Sequence, residues 1–231
     1  MVTAVAPEAA AVLRGLPAGS ADSAPDAELP LPGGYLLHRR GPVDVLAAGV
    51  GPAAAAAGTA TALALAAQPY RLVLSTGIGG GFAPLAPLGS IVVADQIVAA
   101  DLGADTPDGF ATVTELGFGR VSHPTAHAAA VAAALRDGGL PTAVGPVLTV
   151  STVTGTAARA EQLTARHPGA AAEAMEGFGV AEAAAGHGVP VLELRAVSNA
   201  VGPRDRAAWR IGEAFAALER AFALLPYDRL L

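Results

Sequence analysis

The chain of 231 residues contains no cysteine, which removes thiol nucleophiles, disulfides and thiolate metal sites from consideration. It also lacks lysine, all 14 of its basic residues being arginine. A phosphate-binding P-loop, a Schiff-base enzyme and a protein kinase each depend on one particular lysine, so these classes are excluded. Aromatic residues are scarce at 4 %, and charged ones make up only 15 %. The net charge is −6 and the arginines are scattered, a pattern that argues against a nucleic-acid partner. No apolar run is long enough for a bilayer. The longest, residues 52–67, is interrupted by Gly58, Thr59 and Thr61. No basic segment precedes an apolar one at the start, so a cytoplasmic protein without a membrane partner is expected.

What is present is a 52 % hydrophobic chain dominated by alanine, valine, leucine and glycine, long enough for one full core and short for two. An apolar run at residues 1–5 leads into an alanine-rich helical stretch reaching about Leu16. Residues 18–34 read as a mobile loop rich in Pro, Ala, Ser and Asp. Residues 35–38 and 43–49 read as a hairpin, and 52–67 as a small-residue helix packed closely on a sheet. Short strands are expected at 72–75, 91–99, 147–152, 170–175 and 189–198. Helices are expected at 123–137, starting at Pro124, and at 156–166, 176–185 and 207–225. Strands and helices alternate along most of the length. The expected fold is a single α/β domain over residues 1–231, with a central mixed sheet flanked by helices.

Ser75-Thr76-Gly77-Ile78-Gly79-Gly80-Gly81 follows a strand, as a dinucleotide-binding turn would. That turn needs its last glycine to open a helix that meets a pyrophosphate. Here Pro84 and Pro87 follow, and two prolines three apart do not begin a regular helix. A glycine run still lets a flat ligand approach the backbone, because no Cβ intervenes.

Three segments together carry a family resemblance. Residues 75–84 with Gly89-Ser90-Ile91-Val92-Val93-Ala94-Asp95 are similar to the strand, glycine loop and returning strand of purine nucleoside phosphorylases and methylthioadenosine nucleosidases. Ala174-Met175-Glu176-Gly177-Phe178 resembles their Met-Glu motif. Arg195-Ala196-Val197-Ser198-Asn199 resembles their Arg-Ala-(Ile/Val)-Ser-Asp strand end. The start from Thr3 to Glu8 and the stretch 198–206 resemble more narrowly the futalosine-hydrolysing branch of this superfamily, which serves menaquinone biosynthesis. The resemblance implies a nucleoside phosphorylase-like fold and cleavage of an N-glycosidic bond in a 5′-modified purine nucleoside. It further implies a small-molecule nucleoside as the partner, no cofactor and a homo-oligomer.

Cleaving that bond passes through a ribosyl cation-like transition state, which needs an activated water, a hold on the ribose hydroxyls and stabilisation of the departing base. By the resemblance Glu8 activates water, although a first-turn glutamate is also favoured by the helix dipole alone. Glu176 accepts hydrogen bonds from the 2′- and 3′-hydroxyls, a role suited to an acceptor-only group. Met175 lines the sugar, and the backbone of Ile78, Gly79 and Gly80 lies against base and ribose. Asn199 departs from the aspartate of the nucleosidases. Its amide offers one acceptor and one donor, so it can accept from a protonated N7 and donate to a 6-oxo oxygen. That favours hypoxanthine-type over adenine-type bases, and leaves water to supply the N7 proton. An asparagine that merely bonds its own backbone at a strand end is the plainer alternative. Val153 stands where nucleosidases carry a stacking aromatic, which leaves Phe110 or Phe118 to stack. Phosphorylases of this fold carry an arginine at the position of Ser75, so hydrolysis is expected over phosphorolysis. Arg204, Arg206 and Arg210 are the candidates to hold an acidic 5′-substituent, with Arg120 as an alternative. His123 and His127 are spaced like metal ligands but lack a third, so a surface pair and no metal are expected. A phosphorylase, an adenine-type nucleosidase and a silent nucleoside-binding protein are the competing readings.

Overall fold

The computed structural model describes residues 1–17 and 26–230. The chain opens with β1 (Val2–Thr3) and α1 (Ala6–Gly15), then β2 (Ala27–Pro30), β3 (Leu36–Arg40) and β4 (Val43–Ala47). Next come α2 (Pro52–Ala64), β5 (Val73–Gly81) and β6 (Ile91–Ala99). The middle holds β7 (Gly103–Thr106), β8 (Gly109–Thr112), β9 (Ser122–Pro124), α3 (Ala128–Asp137) and β10 (Thr142–Thr149). The last third runs α4 (Ala157–Arg166), β11 (Ala172–Ala174), α5 (Gly177–Gly186) and β12 (Val191–Ala200). It closes with α6 (Ile211–Leu224) and α7 (Tyr227–Leu230).

A mixed sheet runs β11-β10-β6-β12-β5-β1-β4-β3-β2, and β11 also pairs antiparallel with β5. That second pairing closes β5, β12, β6, β10 and β11 into a ring. The strands β1, β4, β5 and β12 are mutually parallel, whereas β6 runs against β12. Helices cover both faces. On one, α1, α3 and α6 bury Val12, Val131, Leu135, Leu218 and Phe222 against Leu74, Ile91 and Leu194. On the other, Phe178, Val180, Ala181 and Ala184 of α5 pack on Val73, Val92 and Val197. In α6 the buried residues Ala214, Ala217, Leu218, Ala221 and Phe222 recur at helical spacing, so one stripe faces the sheet. Truncating the fully buried Phe222 to alanine would cost about 3–5 kcal/mol.

The observed elements agree with the expected alternation and depart from it in five places. The glycine cluster is not a turn after a short strand: β5 continues through it to Gly81, because β12 and β11 supply hydrogen-bond partners on either side. His123 and Pro124 form β9, paired with β6, and the helix begins only at Ala128. Of the stretch read as a mobile loop, residues 18–25 lie outside the described residues, and 27–30 form β2 on the edge of the sheet. The small-residue helix α2 packs chiefly on α5 rather than on the sheet. The hairpin β7–β8 had no counterpart in the expected series.

Candidate active site

The parallel strands β1, β5 and β12 deliver their C-terminal ends to one place, and β11 runs in from the opposite direction. Thr3 ends β1, and α1 starts three residues later with Pro7 in its first turn. This tight entry turns Glu8 back over the strand end. Its Oε2 accepts from the N–H groups of Ala4 (2.9 Å) and Val5 (3.2 Å), and its Oε1 from Ile78 N–H (2.9 Å). The side chain is 4 % exposed. A Cβ at Gly77 would stand 2.5 Å from Glu8 Oε1 and 3.0 Å from Arg195 Nη1, on a backbone with φ +153°. Only glycine fits there.

Arg195 is the hub. It is fully buried in β12, level with Gly77 of β5. Its Nε donates to Glu193 Oε1 (2.9 Å) and its Nη2 to Ser75 Oγ (2.9 Å). Nη1 lies 3.3 Å from Glu176 Oε2, but without the alignment of a hydrogen bond, so the two attract as charges only. Glu176 follows β11 and stands at the entrance of α5. Its Oε1 accepts from Gly51 N–H (3.2 Å) and its Oε2 from Met175 N–H (3.3 Å). Glu176 and Glu193 therefore share one guanidinium, whose charge Glu8 also feels without an ion pair.

Burial drives the ionisation of this cluster. It pushes the Glu8 carboxyl above the ordinary carboxylate range, opposed by Arg195 and by the N–H groups of Ile78 and Ala4, and reinforced by the charge of Glu176. Glu193 is raised by burial too, against the pull of Arg195. For Arg195 burial acts downward, but Glu193, Glu176 and Glu8 outweigh it and keep the guanidinium charged.

The structure brings Glu8, Ile78, Gly79, Gly80, Met175, Glu176 and Asn199 to this end of the sheet. Asn199 follows an irregularity in the β12–β5 register and lies level with Gly80. Its Oδ1 accepts from Ser198 Oγ (2.9 Å), and its Nδ2 donates to Ala200 O (3.1 Å). Three contacts fix the adjoining loop 151–155. Ser151 N–H donates to Asp101 Oδ2 (2.7 Å), Thr154 donates to Glu173 through both N–H and hydroxyl, and Arg204 N–H donates to Gly155 O (3.2 Å). Arg204 and Arg206 are exposed and lie over the Trp209 ring, at 5.7 and 5.8 Å from its centroid. Arg210 is tied to the site through its backbone, N–H to Ser198 O at 2.8 Å. Its guanidinium turns to the carbonyls of Ala207 and Trp209.

Other expectations fare differently. His123 is not part of a surface pair: it is buried, its Nε2 lies 2.7 Å from Glu182 Oε1, and its ring packs against Phe178. His127 alone is exposed. Phe110 sits beneath the Arg166 guanidinium at 4.4 Å, and Phe118 is 70 % exposed. Arg120 pairs with Glu182 at 3.4 Å. Arg195, Glu193, Glu173 and Trp209 were given no role from the sequence. A cavity of about 470 Å³ between Arg39, Asp44, Tyr70 and Tyr227 lies at the N-terminal ends of β1, β4 and β5, and none of the site residues lines it.

Comparison with known proteins follows the same lines. The family model described as the phosphorylase superfamily matches residues 6–225. A futalosine hydrolase of Streptomyces coelicolor is 63 % identical over 232 residues, covering 97 % of this chain and 93 % of that protein. A futalosine hydrolase of Acidothermus cellulolyticus is 49 % identical over 97 % of this chain and 88 % of its own length. Among solved structures, the 5′-methylthioadenosine/S-adenosylhomocysteine nucleosidase of Neisseria meningitidis in complex with methylthio-immucillin-A superposes with a TM-score of 0.78. It does so at 17 % identity, over 96 % of this chain and 95 % of that one, which is a likeness of fold.

Proposed function

The chain belongs to the phosphorylase superfamily, and from that membership we propose that it hydrolyses the N-glycosidic bond of futalosine, releasing hypoxanthine and dehypoxanthine futalosine. The observation that carries the mechanism is the placement of Glu8 and Glu176 at one end of the sheet, Glu176 paired with the buried Arg195 and Glu8 within the field of its charge. A water held at Glu8 loses a proton to its carboxylate as its oxygen bonds to C1′ and the C1′–N9 bond breaks. A base whose pKa is lifted toward neutrality takes that proton more readily than an ordinary carboxylate. Glu176 accepts from the ribose diol. The carboxylate of Glu176 stands beside the ribosyl ring as it turns cationic, which favours the transition state over the ground state.

The departing base is stabilised by Asn199, which accepts at N7–H and donates to O6, the N7 proton coming from water. Arg204 and Arg206, both near the Trp209 ring, suit an aromatic carboxylate at the 5′ end: the ring stacks, and a guanidinium fork holds the acid. Arg210 stands behind them at the start of α6. Ser75, where phosphorylases of this fold place an arginine, is engaged by Arg195, which supports water as the nucleophile. The reading carries with it a homo-oligomer in the cytoplasm, serving menaquinone biosynthesis. Among the described residues no helix is long and apolar enough to cross a membrane. Incubation with futalosine, with and without phosphate, tests it: hypoxanthine release at equal rates is expected. Turnover that requires phosphate and yields a sugar 1-phosphate refutes it.

A further inference from the structure

We infer that Glu193 is a positioning residue for ribose recognition: by holding Nε of Arg195 it keeps that guanidinium from closing a fork on Glu176, and so leaves Glu176 open to the 2′- and 3′-hydroxyls. Glu193 and Arg195 stand two apart on β12 and point to the same face. Glu193 lies level with Ser75 of β5, and Arg195 with Gly77. The tethers of the guanidinium are Glu193 Oε1 on Nε and Ser75 Oγ on Nη2, both at 2.9 Å. Both tethers therefore stand one step back along the paired strands, and they draw Nε and Nη2 away from the strand ends. Only Nη1 reaches toward Glu176, at 3.3 Å from Oε2, and it makes no hydrogen bond there.

An arginine beside a carboxylate ordinarily closes two parallel hydrogen bonds on it. Here that fork would block the site. A carboxylate has about four lone-pair positions, two on each oxygen. In Glu176 the N–H groups of Gly51 and Met175 occupy one on each, which leaves one on each for the diol. A fork from Arg195 would fill both. Burial lifts the Glu193 carboxyl, but the tether does not depend on its charge, because the carbonyl oxygen of the acid still accepts from Nε. The other oxygen of Glu193 is buried without a hydrogen-bond partner, and a Cβ at Gly177 would overlap it. Leaving that atom unpaired costs stability, so core packing alone does not account for a glutamate at this position.

This inference rests on the reading of Glu176 as the diol acceptor, and its test separates the two. kcat/KM is measured for futalosine and for its 2′-deoxy counterpart, and their ratio is compared among wild type, Glu193→Met and Glu193→Gln. Glu193→Met removes the acceptor, so the guanidinium turns to Glu176. The ratio should then fall about tenfold or more, the scale of one hydrogen bond to a charged group. Glu193→Gln keeps an oxygen on Nε and should hold the ratio within about threefold of wild type. If Glu193→Met depresses both activities equally, with the ratio within about twofold, Glu193 is only a brace and the inference is overturned. A Glu193→Gln ratio that falls as far as that of Glu193→Met overturns it too. Should Glu193→Met not fold, Ser75→Ala carries the test. It frees Nη2 and should lower the ratio about fivefold, and an unchanged ratio overturns the inference. Wild-type protein that cleaves both nucleosides equally defeats the Glu176 reading, and this inference with it. Wild-type protein that releases no base from either defeats the nucleosidase reading as a whole.

Discussion

Replacing Arg195 by methionine keeps most of the buried stem and removes the one cation whose charge acts on Glu8, Glu176 and Glu193. Two of these carboxyls already stand above their ordinary range because of burial, and Arg195 is what holds them down. Removing one partner of a buried charge cluster costs about 3–5 kcal/mol. In a domain of this size that is a loss of about 6–20 °C in Tm. The deficit has a defined pH dependence. A carboxyl whose folded pKa is raised binds its proton more tightly when folded, so its stabilising contribution is complete below the unfolded value near 4.5. That contribution is lost as pH climbs through the folded value. Without Arg195 the folded values rise further, so more is lost on the way to neutrality. The variant's deficit should therefore be smallest near pH 5 and grow as pH rises to 8. Urea unfolding at the two pH values measures this, and adding Glu193→Gln to Arg195→Met should recover part of the loss at pH 8. A deficit below about 1 kcal/mol at pH 8 would refute the reasoning, and so would one that does not change with pH.

Three further outcomes are expected. Glu8→Gln should lower kcat by about 10²-fold or more with little change in substrate binding, as for a positioned base. In the wild type the same group should place the acidic limb of the rate profile above the ordinary glutamate pKa, and a limb at or below 4.5 contradicts this. Glu176→Ala should depress kcat more than it raises KM, and a 2′-deoxy substrate should reproduce much of that loss in the wild type. Full activity on the deoxy substrate would take Glu176 out of the site. Replacing Arg204 or Arg206 by alanine should raise KM for futalosine about tenfold or more and leave inosine cleavage unchanged, the signature of a lost charge-assisted fork. If those two and Arg210→Ala all leave the preference intact, the 5′-carboxylate is read elsewhere.

The alternation of strands and helices was legible because β-branched runs and small-residue helices follow one another with little ambiguity. Glu8 and Glu176 stood out only through the motifs that carry the resemblance, since a glutamate at a helix start is otherwise favoured by the dipole alone. Arg195 was quoted within a motif yet given no task. The overlooked signal is Glu193-x-Arg195 inside the otherwise apolar strand β12, two opposite charges on one face of a buried strand. Glu173 was given no task, and only the strand register places it level with Gly80, while Glu182 lies against His123. The expected strand stopped at Ser75 because glycine has poor strand propensity. Pairing with two neighbours overrides that preference, and no local window contains those partners. The hairpin β7–β8 did leave a mark, Asp108-Gly109 at its turn, which passed unread among longer signals.

Glu8 has two employers. One of its oxygens holds the N–H groups that open α1, and the other accepts from Ile78, where the proposed mechanism also places the water. Active-site carboxylates are commonly a burden on folding that a neutral replacement relieves. Here a glutamine presents its NH₂ either to the helix entrance or to Ile78, and donor meets donor in both cases. An inactivated variant thus gains no rigidity in return, and the first turn of α1 loosens together with the chemistry. The hydrogen bonds that open α1 and the proposed chemistry thus rest on the same carboxylate, while the burial that raises its pKa works against the fold near neutral pH.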